Sequence, residues 1–189
     1  MKPIFIIEHL EPKLYKWCEI EYENISNIVG KRNLWFTNMK TQANKLKKFG
    51  KVTSKSVKSM NLKQACVLDP EAPRNLTPKD SKKFKYFIFG GILGDYPPKK
   101  RTKKELTQFI ENAKVRNIGK KQFSTDNAVY VTYKISKGTP MNKIKFKNKI
   151  QVKINNIESV ILPYLYPIVN GNPQMSPKII EYLKKKKSF

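Results

Sequence analysis

Three of the chain's eight glycines, Gly90, Gly91 and Gly94, fall within five positions, and Asp95 follows the last of them just before Pro97-Pro98. Glycine lets backbone take φ > 0 and approach a ligand closely, and the prolines stiffen the exit. The preceding Phe84 to Phe89 is aromatic and β-branched, a buried strand that stops at Gly90-Gly91. A rigid strand feeding such a loop presents backbone N–H and C=O groups to a small molecule, and the same composition also makes a tight turn with no ligand. A second loop of this type opens at Gly119, after Val115 to Ile118. Glu8-His9 closes the apolar strand Ile4-Phe5-Ile6-Ile7, where side chains emerge at the carboxyl edge of a parallel sheet. His9 is the only histidine, and a lone histidine is more often a structural hydrogen-bonder than a catalyst.

The elements that must position these residues alternate along the chain. Leu14, Trp17, Cys18, Ile20, Tyr22, Ile25, Ile28 and Val29 recur at helical spacing, with Gly30 as the stop. Leu34 to Thr37 and Ala65 to Leu68 read as strands, and Ala43, Leu46 and Phe49 as a short helix closing at Gly50. Lys51 to Met60 is either a strand or an exposed connector. Thr77-Pro78 starts a helix with proline in its first turn, and Thr102 starts another that turns Leu106, Phe109 and Ile110 inward. Ser124 or Thr125 caps a helix facing Ala128, Val131, Thr132 and Ile135 to the core and ending at Gly138. This alternation predicts an α/β layer fold with a mostly parallel sheet. From Thr139 the composition changes: Ile144 to Lys153 alternates like a one-faced strand or hairpin, Leu162 to Pro167 is broken by proline, and Asn170-Gly171-Asn172-Pro173 is a turn. Ser176-Pro177 begins a last helix running into Lys184 to Lys187. We therefore divide the chain into a domain over 1–138 and an extension over 139–189 packed on it.

With 189 residues the chain is long enough for one domain with a full core. It carries 39 basic and 14 acidic residues, a net charge of +25, which favours polyanions such as RNA or a ribosomal surface. Four of the basic residues are arginine (Arg32, Arg74, Arg101, Arg116), and the remaining 35 are lysine. Such a skew also arises from an AT-rich genome. Cys18 and Cys66 stand in apolar settings without a CxxC or a nearby histidine, so a reduced cytoplasmic setting without a zinc site is expected. No apolar run is long enough to span a membrane, and Met1-Lys2-Pro3 leads straight into a strand without the pattern of a signal peptide.

Phe89-Gly90-Gly91-Ile92-Leu93-Gly94-Asp95-Tyr96-Pro97-Pro98 with Arg101-Thr102 carries a resemblance to a known family. Ile6 to Glu11, Val67-Leu68-Asp69-Pro70, and Gly119 to Asp126 share it in the same order. Over about Pro3 to Lys137 the chain resembles the branch of the SPOUT methyltransferases that contains a fungal protein-arginine methyltransferase and archaeal relatives. The resemblance implies a SPOUT-type trefoil knot formed by about Phe84 to Lys137, helices on both faces of the sheet, and a monomer. It also implies S-adenosylmethionine bound between three loops. Carried onto this sequence, these are Leu68, Asp69 and Pro70; Phe89, Gly90, Gly91, Ile92 and Gly94; and Asn117, Ile118, Gly119, Gln122, Phe123 and Ser124.

Methyl transfer to nitrogen needs the nitrogen aligned with the methyl carbon and a group to take the departing proton. A guanidinium, with a pKa above ~12, arrives charged and without a usable lone pair, so carboxylates must grip it. Asp95 and Glu8 are the candidates for that role, with Arg101 and His9 as candidate substrate-binding residues. Asp95 could instead cap the turn near Pro97. The reading is of a methyltransferase for arginine in a ribosomal or RNA-associated protein. An RNA base methyltransferase would use the same cofactor loops, and a knotted RNA-binding domain without turnover is a third reading. No aromatic-interleaved basic motif of the kind that stacks bases is present in the sequence.

Overall fold

The computed structural model describes residues 2–185. Its centre is a sheet of six strands: β1 (Ile4–His9), β2 (Leu34–Thr37), β3 (Lys51–Val52), β4 (Ala65–Leu68), β5 (Tyr86–Gly91) and β6 (Lys114–Arg116). They lie in the order β3-β2-β1-β5-β4-β6, and every neighbouring pair is parallel. β5 continues through both glycines, pairing Gly90 with Glu8 and Gly91 with His9, so the strand runs two residues past its expected stop. Because side chains alternate across a strand, Phe5 and Ile7 enter one core while Ile6 enters another.

Two long helices cover the Phe5 face, α1 (Lys16–Val29) and α4 (Thr125–Ser136). Cys18, Tyr22, Ile25 and Val29 of α1 recur every three or four residues and are buried, as are Val131 and Ile135 of α4. Gly30, at φ 82°, ends α1 and donates its N–H to the Ser26 carbonyl. The Ile6 face is covered by short pieces, a 3₁₀ turn at Val57–Ser59 and the segment after α3 (Arg101–Glu105), which supply Val57 and Leu106. Phe109 does not turn inward as its spacing suggested: it is half exposed, with the Lys58 ammonium 4.3 Å from its ring centre. The short α2 (Pro78–Ser81) is capped by Thr77, whose hydroxyl accepts from the Asp80 N–H.

The region after Gly138 forms a second sheet of β7 (Phe146–Lys153), β8 (Ser159–Val169) and β9 (Asn172–Pro173), followed by α5 (Pro177–Lys185). Pro163 and Pro167 do not break β8. Pro163 falls where the register skips across Lys149, whose φ of 51° marks a bulge, so no ladder donor is missed there. Asn170 and Gly171, at φ 49° and 79°, make the two-residue turn between β8 and β9. The lysine run beyond Lys185 lies outside the described residues.

Ile150, Val152, Leu162, Tyr166, Ile179 and Leu183 of this region pack on Ile20, with Trp17 beside them. Helix α1 is therefore buried on two sides, by the parallel sheet and by the added hairpin and helix. Among the described residues no helix is long and apolar enough to cross a membrane.

Candidate functional site

The loops leaving β4, β5 and β6 meet at the carboxyl end of the parallel strands, where open α/β sheets bind ligands. They enclose a cavity of about 240 Å³. Leu68, Asp69 and Pro70 come from the first loop, Phe89, Gly90, Ile92, Gly94 and Asp95 from the second, and Ile118, Gly119, Gln122 and Phe123 from the third. The cavity thus collects most of the residues singled out in the sequence. Arg101 also lines it, as do Leu93, Lys99, Lys100, Thr125 and Ala128, which the sequence did not mark.

Side-chain chemistry in the first and third loops is largely spent on holding the loops. Asp69 is buried; one carboxylate oxygen accepts the Glu71 N–H at 2.9 Å and the other the Thr107 hydroxyl at 2.6 Å. Asn117 is also buried and lies outside the cavity lining. Its amide donates to the Ala72 carbonyl at 2.8 Å, and its oxygen accepts the Gly119 N–H at 2.9 Å. Its backbone is held by Arg74 and Leu76. Gly119, at φ 106°, takes a conformation that suits glycine.

The glycine loop is clamped by a residue the sequence reading quoted without assigning a role. One oxygen of Glu11 accepts both the Leu93 N–H at 2.9 Å and an Arg101 guanidinium N–H at 2.8 Å. Arg101 turns its other two bonds to Glu105, at 2.7 and 3.2 Å. Its fork is satisfied within the protein, so Arg101 ties α3 and the β1–α1 loop to the glycine loop. Both neighbouring carboxylates hold its guanidinium even more firmly protonated than usual. A glutamate directly after a buried strand and before Pro12 was the available signal.

Asp95 stands on the cavity wall, partly exposed, with Lys99 Nζ 3.1 Å away. An exposed pair of this kind is worth about 0–1 kcal/mol and leaves the carboxylate free to exchange partners. Among the described residues no backbone N–H donates to it, so it does not cap the turn.

Besides Asn117, four candidates lie elsewhere. Glu8 is fully buried, accepting the Thr37 and Ser56 hydroxyls and the Val57 N–H, the last at 2.9 Å. It fastens β1 to β2 and to the Val57–Ser59 turn and cannot reach a substrate. His9 is buried against α1, its Nδ1 2.8 Å from the Tyr22 hydroxyl, and burial lowers its pKa so that the ring stays neutral. Gly91 faces away from the cavity: a Cβ there would collide with the Tyr22 hydroxyl and lie 2.9 Å from Ile7 Cγ2. Ser124 donates to Asp126 at 2.6 Å and accepts from the Asn127 amide at 2.9 Å. It precedes α4 without bonding to its free N–H groups.

The cavity has apolar walls (Leu68, Phe89, Ile92, Ile118, Phe123), loop backbone within reach, and both signs of charge at its mouth. That combination suits a planar heterocycle joined to a charged tail.

Comparison with known proteins gives a consistent answer. The family described as "Protein arginine N-methyltransferase SFM1-like" matches residues 4–188. The chain is 34% identical over 200 aligned positions to protein arginine N-methyltransferase SFM1 of Saccharomyces cerevisiae, covering 96% of this chain and 94% of the yeast protein. The crystal structure of yeast SFM1 complexed with S-adenosylmethionine superposes with a TM-score of 0.89 at 33% identity, over 98% of this chain and 91% of that one. Trm10 of Thermococcus kodakaraensis matches with a TM-score of 0.58 at 19% identity, over 75% of this chain and 96% of that one, a likeness of fold alone.

Proposed function

Because this chain belongs to the SFM1-like protein arginine N-methyltransferase family, we propose that it methylates an arginine of a ribosomal or RNA-associated protein, with Asp95 acting on the acceptor. It is an S-adenosylmethionine-dependent methyltransferase. The observation that carries the reading is the convergence of three loops from β4, β5 and β6 on one cavity with a carboxylate on its wall, Asp95, paired with the exposed Lys99. The cavity's fit to the cofactor rests on its apolar walls and accessible backbone. Leu68, Phe89, Ile92, Ile118 and Phe123 would flank the adenine, and the loop backbone would pair with its edge. Bound there, the cofactor supplies an electrophilic methyl group on a sulfonium.

The remaining work falls to this chain's own groups. Asp95 grips the cationic acceptor, draws positive charge away from the attacking nitrogen, and takes the proton that nitrogen loses. The Glu11–Arg101–Glu105 network holds the loop that carries it. A surplus of 25 positive charges favours an acceptor presented on RNA over a free basic protein. Radiolabel from S-adenosylmethionine should enter an extract in a form that protease releases and RNase does not. Label released by RNase alone would instead make the acceptor an RNA base.

Two structural proposals accompany this reading. A trefoil knot is supported by Asn117, which passes between bonds to Arg74, Leu76 and Ala72 on the way from β6 to α4. Pulling single molecules from both ends should yield an extended length shorter than that of an unknotted chain, and a full-length extension would sink the knot. The chain is also taken to act as a monomer, so light scattering should give one-chain mass at low and high salt, and a tight dimer would reverse this.

A further inference from the structure

We infer that the acceptor arginine lies in an aromatic groove on the far side of Ile92, Leu93 and Gly94, with its guanidinium held by Glu21. This inference rests on the arginine-methyltransferase reading above and adds a second carboxylate to it: Glu21 holds the guanidinium from the groove, and Asp95, on the cofactor-cavity side of Gly94, acts on the reacting nitrogen.

The groove is a second cavity, of about 700 Å³, between α1 and the carboxyl-terminal region. Trp17, Tyr96, Tyr164 and Tyr182 give it aromatic walls, and Glu21 is its acid. It meets the cofactor cavity along Ile92, Leu93 and Gly94, which line both. The border is tight at Gly94. A Cβ there would collide with Gln122 from the cofactor side and lie 2.6 Å from Tyr164 Cε1 on the groove side. The Tyr164 hydroxyl donates to the Gly94 carbonyl at 3.2 Å, so the groove wall and the cofactor loop are tied together.

Charge identifies the occupant. The chain has 39 basic residues, yet among the described residues none forms an ion pair with Glu21 or with its neighbour Asp126. Glu21 is 5% exposed; one oxygen accepts the Trp17 indole N–H at 2.8 Å. Asp126 is held by the Asn24 amide, the Ser124 hydroxyl and the Asn127 N–H. A buried carboxylate without a cation is costly, and this one borders a cavity open to a ligand. A guanidinium supplies the missing charge, matches a carboxylate with its planar fork, and stacks on aromatic faces. An uncharged side chain would supply none of these.

Burial, then the nearby Asp126, raises the pKa of Glu21 above the usual carboxylate range. The other ionisable groups around it are Cys18 and Tyr22 on its own helix, Tyr15 and Tyr96 in the loops, Tyr164 and Tyr166 of β8, Tyr182 of α5, and Lys149 on the β7 bulge. Among the described residues Lys149 is the one cation on the groove, and it is exposed. Arginine binding should therefore strengthen as pH rises through about 8, where Glu21 gives up its proton.

Trp17 in the groove wall provides the signal for the test. The chain, carrying Trp35→Phe so that Trp17 is its one tryptophan, is titrated free and loaded with S-adenosylhomocysteine, with N-acetyl-arginine amide and with the uncharged N-acetyl-citrulline amide, following Trp17 fluorescence. The arginine probe should bind at least roughly tenfold more tightly. Glu21→Gln should reduce that preference to about twofold or less and abolish its pH dependence, with affinity for S-adenosylhomocysteine unchanged. Lys149→Asn, on the exposed bulge where asparagine tolerates φ > 0, should tighten arginine binding without altering citrulline binding. Equal binding of the two probes to the native chain, or a preference that survives Glu21→Gln, overturns the inference. Should Glu21→Gln fail to fold, unchanged arginine affinity in Lys149→Asn overturns it equally. Failure of the native chain to bind S-adenosylhomocysteine in calorimetry would count against the parent reading and is seen before any arginine probe is added.

Discussion

Asp95→Asn is expected to bind S-adenosylmethionine as the native chain does and to transfer methyl at least about a hundredfold more slowly, since a positioned base or orienting group is worth ~10²–10⁴ in rate. The substitution keeps the side chain's shape and removes its charge. The melting temperature should hardly move, because among the described residues no backbone N–H depends on this carboxylate, and its one ionic partner is the exposed Lys99. Cofactor affinity should also hold, since the loop is fixed by Glu11 acting on Leu93 and Arg101. Single-turnover rates, calorimetry and thermal melts on this variant separate the possibilities. A rate within a fewfold of native removes Asp95 from the chemistry and leaves Glu21 as the next carboxylate to examine.

Glu8→Ala should damage the fold itself. The substitution strands the Thr37 hydroxyl, the Ser56 hydroxyl and the Val57 N–H. Each buried unsatisfied group costs about 1–3 kcal/mol. A total of roughly 3–9 kcal/mol is a large part of the ~5–15 kcal/mol that keeps a domain folded. At about 2–4 °C per kcal/mol for a chain of this size, the melting point should fall by at least roughly 6 °C. Glu8→Gln should recover much of this, because the hydroxyls can turn to meet an amide. A Glu8→Ala protein that melts like the native one and yet is inactive would restore Glu8 to the chemistry.

The contrast between these carboxylates shows where sequence reading reached and where it stopped. The apolar runs of β1, β4 and β5 and the glycine and proline punctuation after them placed three loops correctly, and most of the cavity followed. Alternation along β1 also puts Glu8 and His9 on opposite faces. Sequence alone could not say that Glu8 meets Ser56 and Val57, or that His9 meets Tyr22, because those partners come from distant parts of the chain. Gly91 resembled its neighbours in composition, but its missing side chain makes room for Tyr22. Glu21 was invisible for a related reason. The helical pattern through Cys18, Tyr22, Ile25 and Val29 defines one buried face, and Glu21 is buried by the second layer that the hairpin and α5 lay over α1. Such burial is a property of packing between segments more than a hundred residues apart.

That second layer divides the labour of the molecule along the chain. Among the described residues, those that line the cavity between the three loops come before Gly138, whereas the aromatic groove takes Pro163, Tyr164 and Tyr182 from the later segment. If the groove takes the acceptor as inferred, the two duties can change largely apart, except where β8 is bonded to the loops, through Tyr164 to Gly94 and Leu165 to Gln122. Exchanges among the groove residues of β8 and α5 can alter which protein surface is accepted while the cofactor is held as before. Selection for a new target would then leave its record in the last quarter of the chain, and the loops after β4, β5 and β6 would stay as they are.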